Sequence, residues 1–401
     1  MPGYMFFGVS EGRGAKGEVL SVSLLPQIWA MFSKEKPFVT NPSHTVRRMV
    51  RALAWIASLM LVAVPASSQT LRESAERSGL LVGAAARPGQ LSEPLYAATL
   101  AREFNMVEPE DAMKWEVVHP APETFDFSQG DRIVTFAISH QMKVRGHTLV
   151  WHQQNPRWLS EGQHTPEQLA RILEQHIKTV VGHYRGKVFA WDVVNEAFDE
   201  GGAGRLRSTI WHDQPGIGRA GKVSAYIEDC FRWAHAADPD ALLFYNDAEA
   251  EAMNPKSEAI YAMVRDFKRR GVPIDGVGFQ MHLDSLHPDI ASISENIGRF
   301  TALGVQVQIT EMDVSLPLDA SGNPRPADLQ LQADVYRRIA SACLTHVGCT
   351  AIQTWGFTDK YSWIGSHSKH TQGAALLFDR QYRLKPAYDG LRRALEQPSR
   401  R

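Results

Sequence analysis

From residue 80 onward the chain repeats one pattern: a short apolar, β-rich run ending in polar residues, then a longer segment with helical spacing. The runs fall at 80–85, 104–107, 143–151, 188–196, 242–247, 276–283, 305–314 and 351–359, eight in all. The segments between them carry helix signals. Thr165-Pro166-Glu167 supplies a cap and a first-turn proline, and Leu169, Ile172, Leu173, Ile177, Val180 and Val181 then form one stripe. Similar stripes follow Lys222, Lys256 and Ala327. Near-continuous apolar strands alternating with amphipathic helices predict a parallel sheet covered by helices, and eight such units predict a single closed (β/α)8 TIM barrel of the α/β class. An open doubly wound sheet would call for a Gly-rich phosphate turn after the first strand, and Gly83-Ala84-Ala85-Ala86 does not provide one. One domain over residues 69–401 is expected, without internal repeats or a low-complexity linker.

Ahead of the barrel, residues 1–48 show no convincing period. Arg47-Arg48-Met49-Val50-Arg51 then precedes an apolar run at 52–64 and the small-residue stretch Pro65-Ala66-Ser67-Ser68. Residues 49–68 read as a signal peptide beginning at Met49 and cut near Ala66 or Ser68, which makes 1–48 a mis-assigned upstream extension. An N-terminal anchor is the alternative, but the run is shorter than the ~20 apolar residues of a membrane span. The arginine pair resembles a twin-arginine signal but lies upstream of that start. A secreted or periplasmic protein is expected, with no membrane association after signal cleavage, and acting as a monomer. Lys+Arg 43 against Asp+Glu 44 leaves a net charge of −1, which argues against a nucleic-acid partner. Three cysteines exclude a disulfide scaffold and a zinc-ribbon array.

In a parallel barrel, chemistry is expected at the C-terminal ends of the strands. Those ends are unusually polar and aromatic here. The second run leads into residues 108–115 (EPEDAMKW), the third ends in 145–152 (RGHTLVWH), and the fourth in Trp191-Asp192-Val193-Val194-Asn195-Glu196. The fifth ends Asn246-Asp247, the sixth Gln280-Met281-His282, the seventh Thr310-Glu311-Met312-Asp313, and the eighth Trp355-Gly356-Phe357-Thr358-Asp359. Two carboxylates across a small gap suit glycoside cleavage, with one protonating the leaving oxygen and the other attacking carbon or activating water. Glu196 and Glu311 are the natural pair. Indoles offer platforms for sugar faces, while amides and imidazoles bond hydroxyls; Trp115, Trp151, Trp355 and Trp363 are candidates for the first role. Asn195 is placed to hold a sugar 2-hydroxyl, Asp192 to act as a structural partner inside the barrel, and Lys114 to bind substrate. His147, His152 and His282 also suit core packing or metal ligation. Five residues apart on one strand, His147 and His152 would face opposite ways. No HExxH or CxxC spacing is present, so neither a metal nor another cofactor is expected.

These motifs resemble glycoside hydrolase family 10, the endo-β-1,4-xylanases, over nearly all of residues 75–396. The resemblance rests on the strings at 108–115 and 145–152, WDVVNEA (191–197), GVGFQMHL (276–283), ITEMD (309–313) and WGFTDKYSW (355–363), with KPAYDGL near the C-terminus. It implies a retaining double displacement on internal bonds of xylan, with Glu196 as acid/base and Glu311 as nucleophile. Asn195 then binds the 2-hydroxyl, Gln280 and His282 flank the nucleophile, and His282 orients it. His147, Trp151 and Trp355 wall the sugar site before the scissile bond, and Glu110, Lys114 and Gln154 grip sugars on the non-reducing side. Trp363 is a lid that excludes the hydroxymethyl of glucose. Xylan and xylo-oligosaccharides are the implied partners; a mixed-specificity β-1,4-glucan/xylan hydrolase and a non-catalytic xylan-binding protein are the alternatives. Two departures stand out. Asp111 replaces the usual Asn, and Ala248 replaces a Tyr platform on the leaving-group side. Cys343 and Cys349 match a bridge that some members carry, and Cys230 is expected as a buried free thiol.

Overall fold

The computed structural model describes residues 69–201, 203–218 and 224–397. The expected signal segment and upstream extension lie outside the described residues. Eight parallel strands are formed: β1 (Leu81–Ala86), β2 (Met106–Pro109), β3 (Lys143–Gly146), β4 (Ala190–Asn195), β5 (Leu242–Asp247), β6 (Gly276–Phe279), β7 (Gln306–Val314) and β8 (Cys349–Thr354). Each pairs with the next, and β8 returns to β1 with Leu81 opposite Ala351, closing the barrel. The TIM barrel expected from the alternation is therefore the fold.

The helices form where the spacing placed them. The helix Pro166–His183 is closed at its start by Thr165, whose hydroxyl accepts from Gln168 N–H while the Gln168 side chain reaches back. It buries Leu169, Leu173, Ile177, Val180 and Val181, whereas Ile172 is only half-buried. Helices Ala225–Ala237, Pro255–Arg269 and Pro326–Leu344 follow the other three stripes. Proline opens several of them because it lacks only an N–H that the first turn would leave unpaired. The two ends of the barrel chain meet at Glu103, which accepts from Leu71 N–H at 3.2 Å and from the Tyr388 hydroxyl at 2.7 Å.

Five of the strands are shorter than their apolar runs, while β1, β2 and β5 match theirs in length. β3 stops at Gly146 rather than continuing to 151, and only Val150 makes a further bridge, to Val194. Left-handed backbone at Glu196 (φ 53°) and Met281 (φ 66°) lies just past the ends of β4 and β6, where the chain leaves the ladder near the barrel mouth. Apolar character continues past the ladder because these segments still pack: Leu149 and Val150 are buried.

The barrel interior is strongly polar. Arg145 is fully buried and stacks on Phe244, its guanidinium carbon 4.5 Å from the ring centre. It bonds Asp192 through Nε at 3.2 Å and again through Nη2, reaches Gln308 at 2.6 Å, and lies 3.4 Å from Glu108. Gln353 closes the set by donating to Glu108 at 2.6 Å. Asp192 is thus the internal structural partner that its position suggested. Packing is close where Gly146 opposes Trp191 across the β3–β4 pairing, since a Cβ there would lie 2.3 Å from the indole. Gly146→Ala is expected to destabilise the fold by about 1–3 kcal/mol through overpacking, read as a lower denaturant midpoint. An unchanged midpoint would mean that Trp191 has room to move.

Candidate active site

A cleft of about 580 Å³ opens at the C-terminal ends of the strands, with Glu196 from the end of β4 and Glu311 from β7 both on its wall. Trp151 Nε1 donates to Glu196 Oε2 and Gln280 Nε2 to Oε1, each at 2.8 Å. Asn246 Nδ2 donates to Glu311 Oε1 at 2.8 Å, while His282 Nε2 lies 3.1 Å from Oε2. One residue ties the two glutamates together: Gln280 bonds Glu196 through its side chain, and its carbonyl accepts the Glu311 N–H at 3.0 Å.

Asn195 sits between them. Because carboxylates only accept, Gln280 and Asn246 must turn their NH2 groups toward the glutamates, and each has a second hydrogen for Asn195 Oδ1, at 3.2 and 2.9 Å. The reversed Asn195 amide would offer its oxygen to Trp151 Nε1 at 3.3 Å, but that N–H is already committed to Glu196. Asn195 therefore keeps its oxygen on the two amides and its NH2 free to donate.

Charge is placed with the same care. His282 bridges two carboxylates, with Nδ1 3.1 Å from Asp313 and Nε2 on Glu311. Burial works against its charge, but Asp313 and Glu311 outweigh burial and hold its proton well above the ordinary histidine range. Trp363 Nε1 donates to the same Asp313 oxygen at 2.8 Å. His147 behaves likewise: burial opposes its charge, and the Asp192 hydrogen bond at 3.0 Å together with Glu108 raises its pKa. Glu108 is pushed up by burial, with Asp192 adding to the shift, while Asp192 is held low by Arg145 and His147 despite its own burial.

Glu108, His147 and Asp192 are also close enough to share a metal ion, their donor atoms lying within 4.8 Å of one another. The Arg145 guanidinium already lies between the two carboxylates, 3.4 Å from Glu108 and 3.2 Å from Asp192, and supplies the positive charge that a metal would bring. The donor set fits a guanidinium-bridged pair better than a cation site.

The structure brings Glu110, Lys114, His147, Trp151, Asn195, Gln280, His282, Trp355 and Trp363 to the cleft wall together with Glu196 and Glu311. Lys114 Nζ lies over two indoles, 4.9 Å from the Trp151 centre and 5.6 Å from that of Trp355, and 3.2 Å from Asp111. Gln154 departs from expectation. Its left-handed turn points the amide to Glu116 at 2.8 Å, and the neighbouring Gln153 lines the cleft instead. Trp115 is not a rim platform either. The short helix Trp115–Val118 turns it inward, where it stacks on His176 with ring centres 3.5 Å apart and bonds the Leu149 carbonyl at 2.6 Å. The opposite-face argument for His147 and His152 also fails, because β3 ends before both. His152 Nδ1 comes within 3.8 Å of Glu196.

Several wall residues are absent from the sequence-based set of candidates. Arg87, directly after β1, bonds Glu110 at 2.7 Å and Asp111 at 3.0 Å, so the extra carboxylate at position 111 is met by a matching cation. The rule that strand ends carry function would have found it. Arg207 and Lys256 also line the cleft but belong to long-range placements with no local periodicity. Cys343 and Cys349 are joined by a disulfide, and Cys230 is buried with its thiol pKa pushed well up by burial.

A (β/α)8 barrel that presents paired glutamates in an indole-walled cleft defines a glycoside-cleaving class. The chain belongs to glycosyl hydrolase family 10, whose model matches residues 70–394. Endo-1,4-beta-xylanase B of Thermotoga neapolitana is 44% identical over 330 residues, 82% of this chain and 92% of that protein. A beta-1,4-xylanase of Dictyoglomus thermophilum is 42% identical over 301 residues, 73% and 82% of the two chains. Among solved structures, xylanase 10B of Thermotoga petrophila in complex with xylobiose superposes with a TM-score of 0.77 at 43% identity, covering 82% of this chain and 97% of that one.

A group whose native pKa is raised stabilises the fold fully below its unfolded value, here about 6.5, and loses that contribution as pH rises through the native one. The stability difference between the wild type and His282→Gln is therefore expected to be largest near pH 6 and to shrink toward pH 10, measured by denaturant unfolding. A difference that grows with pH would contradict the charge assigned to His282.

Proposed function

We propose that this chain is a secreted, endo-acting retaining xylanase that cleaves internal β-1,4-xylosidic bonds, with Glu311 as nucleophile and Glu196 as acid/base. The observation that carries the reading is the single hydrogen-bonded set joining the two glutamates through Gln280, Asn195 and Asn246 inside one cleft. The names of the relatives support the substrate, as does the xylobiose in one structural neighbour. The basic, apolar and small-residue succession over 49–68 supports export.

In the first step an ionised Glu311, fixed by Asn246 and His282, attacks the anomeric carbon from one face. Glu196 gives its proton to the departing oxygen on the other, and a glycosyl ester forms. In the second step Glu196, now a carboxylate, takes a proton from water, which attacks the same carbon and releases Glu311. Two inversions leave the anomeric configuration unchanged. The free NH2 of Asn195 donates to the 2-hydroxyl of the sugar undergoing reaction, a bond that strengthens as charge develops on the ring. Lys114, held over two indoles and beside Asp111, meets hydroxyls on the non-reducing side. Water is the one co-reactant that these steps call on.

A 2-fluoro xylobioside with a good leaving group is expected to lose that group and add the mass of its fluorinated xylobiosyl unit to the protein and, after digestion, to the peptide holding Glu311. Proton NMR of early products should show the β-anomer first. A label elsewhere or an α-product would overturn the assignment. Glu311→Ala and Glu196→Ala should each lose about 10²–10⁴-fold or more in kcat/KM on xylan. The tethered Trp363 indole carries the sugar preference in this reading. Trp363→Ala is expected to narrow the ratio of kcat/KM between aryl xylobioside and aryl cellobioside by about 10-fold; an unchanged ratio would place selectivity elsewhere.

A further inference from the structure

We propose that Tyr245, braced by Asp247 and Lys256, is a positioning residue for Glu196: its hydroxyl oxygen accepts the Ala197 N–H and pins the turn that aims Glu196 into the cleft. The proposal rests on reading Glu196 as the acid/base.

Glu196 leaves β4 in a left-handed conformation, φ 53°. A residue other than glycine holds that conformation only where its surroundings fix the flanking peptides. On the N-terminal side, the Glu196 N–H donates to the Asn246 carbonyl at 2.9 Å. On the C-terminal side, the Ala197 N–H donates to Tyr245 Oη at 3.0 Å, and the Ala197 carbonyl accepts the Arg207 N–H at 2.7 Å. The Arg207 side chain adds a longer contact, its Nε donating to the Glu196 carbonyl at 3.4 Å. Tyr245 is the nearer of these two side chains, so the arrangement can be loosened there without rewriting the backbone.

The hydroxyl reaches this state through its neighbours. Tyr245 and Asp247 lie on β5 two residues apart, and both are fully buried. Tyr245 gives its only hydroxyl proton to Asp247 Oδ2, which leaves its oxygen lone pairs facing Ala197. The other Asp247 oxygen takes Lys256 Nζ at 2.8 Å. Lys256 is also buried and enters from the first turn of Pro255–Arg269, a helix anchored by its Asn254 cap. The order of donors therefore runs one way: Lys256 and Tyr245 both donate to Asp247, and Ala197 donates to Tyr245. Burial raises the Asp247 pKa to about 7 even with Lys256 beside it, so the pair is costly to keep ionised. An apolar contact would fill the same space at lower cost, whereas only a hydroxyl with its proton drawn away presents an acceptor to Ala197.

The test uses leaving groups. Loss of proton delivery slows substrates with poor leaving groups and spares those whose leaving group departs as a stable anion, while general damage to the site slows all alike. In kcat/KM, Tyr245→Phe is expected to lose about tenfold on phenyl xylobioside and on xylan, and no more than about twofold on the 2,4-dinitrophenyl substrate. Exchange of the Ala197 amide hydrogen should become faster. A uniform loss across the series, or no loss, would overturn the proposal. If Tyr245→Phe does not fold, Asp247→Asn serves. Lys256 claims the amide oxygen, the NH2 turns to Tyr245 Oη, and the same leaving-group dependence is expected in weaker form; its absence overturns the proposal equally. Glu196→Ala run beside these variants separates the two ideas. A flat leaving-group profile for Glu196→Ala would remove the acid/base assignment itself, whatever Tyr245→Phe does.

Discussion

The Arg145 guanidinium has no contact with water, yet it touches carboxylates from β2 and β4 and an amide from β7. A buried charge is tolerable only when paired, and breaking such a pair from one side costs about 3–5 kcal/mol. What rests on it is the orientation of the cleft floor. Asp192, held by Arg145, accepts His147 Nδ1, and the Asp192 carbonyl takes the Leu149 N–H at 3.0 Å and the Thr148 hydroxyl at 2.9 Å. The segment that leaves β3 early is thereby sewn to β4, and Trp151 at its far end is delivered to Glu196.

Above that floor, the chemistry is arranged by amides rather than by charges alone. Asn195, Asn246 and Gln280 lie between the two glutamates, and Asn246 is oriented by the Thr310 hydroxyl on its oxygen and Glu311 on its NH2. Such a chain needs no reorganisation when charge moves from one glutamate to the other, which is what electrostatic preorganisation requires. Besides the His282 imidazolium on Glu311, Arg87, Lys114, Arg207 and Lys256 line the cleft.

Most of the cleft was legible because two rules act together. β-α alternation gives the barrel, and the barrel gives the strand ends, so Glu196, Glu311, Gln280, His282 and Trp355 follow from position along the chain. The misses share a cause. Gln154 and Trp115 lie just past strand ends, where a single left-handed residue or one short helical turn reverses a side chain, and no periodicity reports that. His147 and His152 were compared as strand residues although the ladder had already stopped at Gly146. Arg207 and Lys256 reach the wall from a loop and a helix start, so only tertiary placement reveals them. The pairing of Arg87 with Asp111 shows how the cleft accommodates a carboxylate at that position, and nothing in the local sequence joins residues 24 positions apart.

One oxygen of Asp313 serves two masters, the Trp363 indole and the His282 imidazolium. In the function proposed above the indole governs which sugar ring fits, and the imidazolium the electrostatic setting of Glu311. Shifting the indole to admit a bulkier ring also removes a donor from the oxygen that balances the imidazolium, so diet breadth and alkaline tolerance cannot drift independently in descendants of this sequence. A lineage that widens its menu inherits a changed acidity profile, unless a new hydrogen-bond donor takes the vacated place.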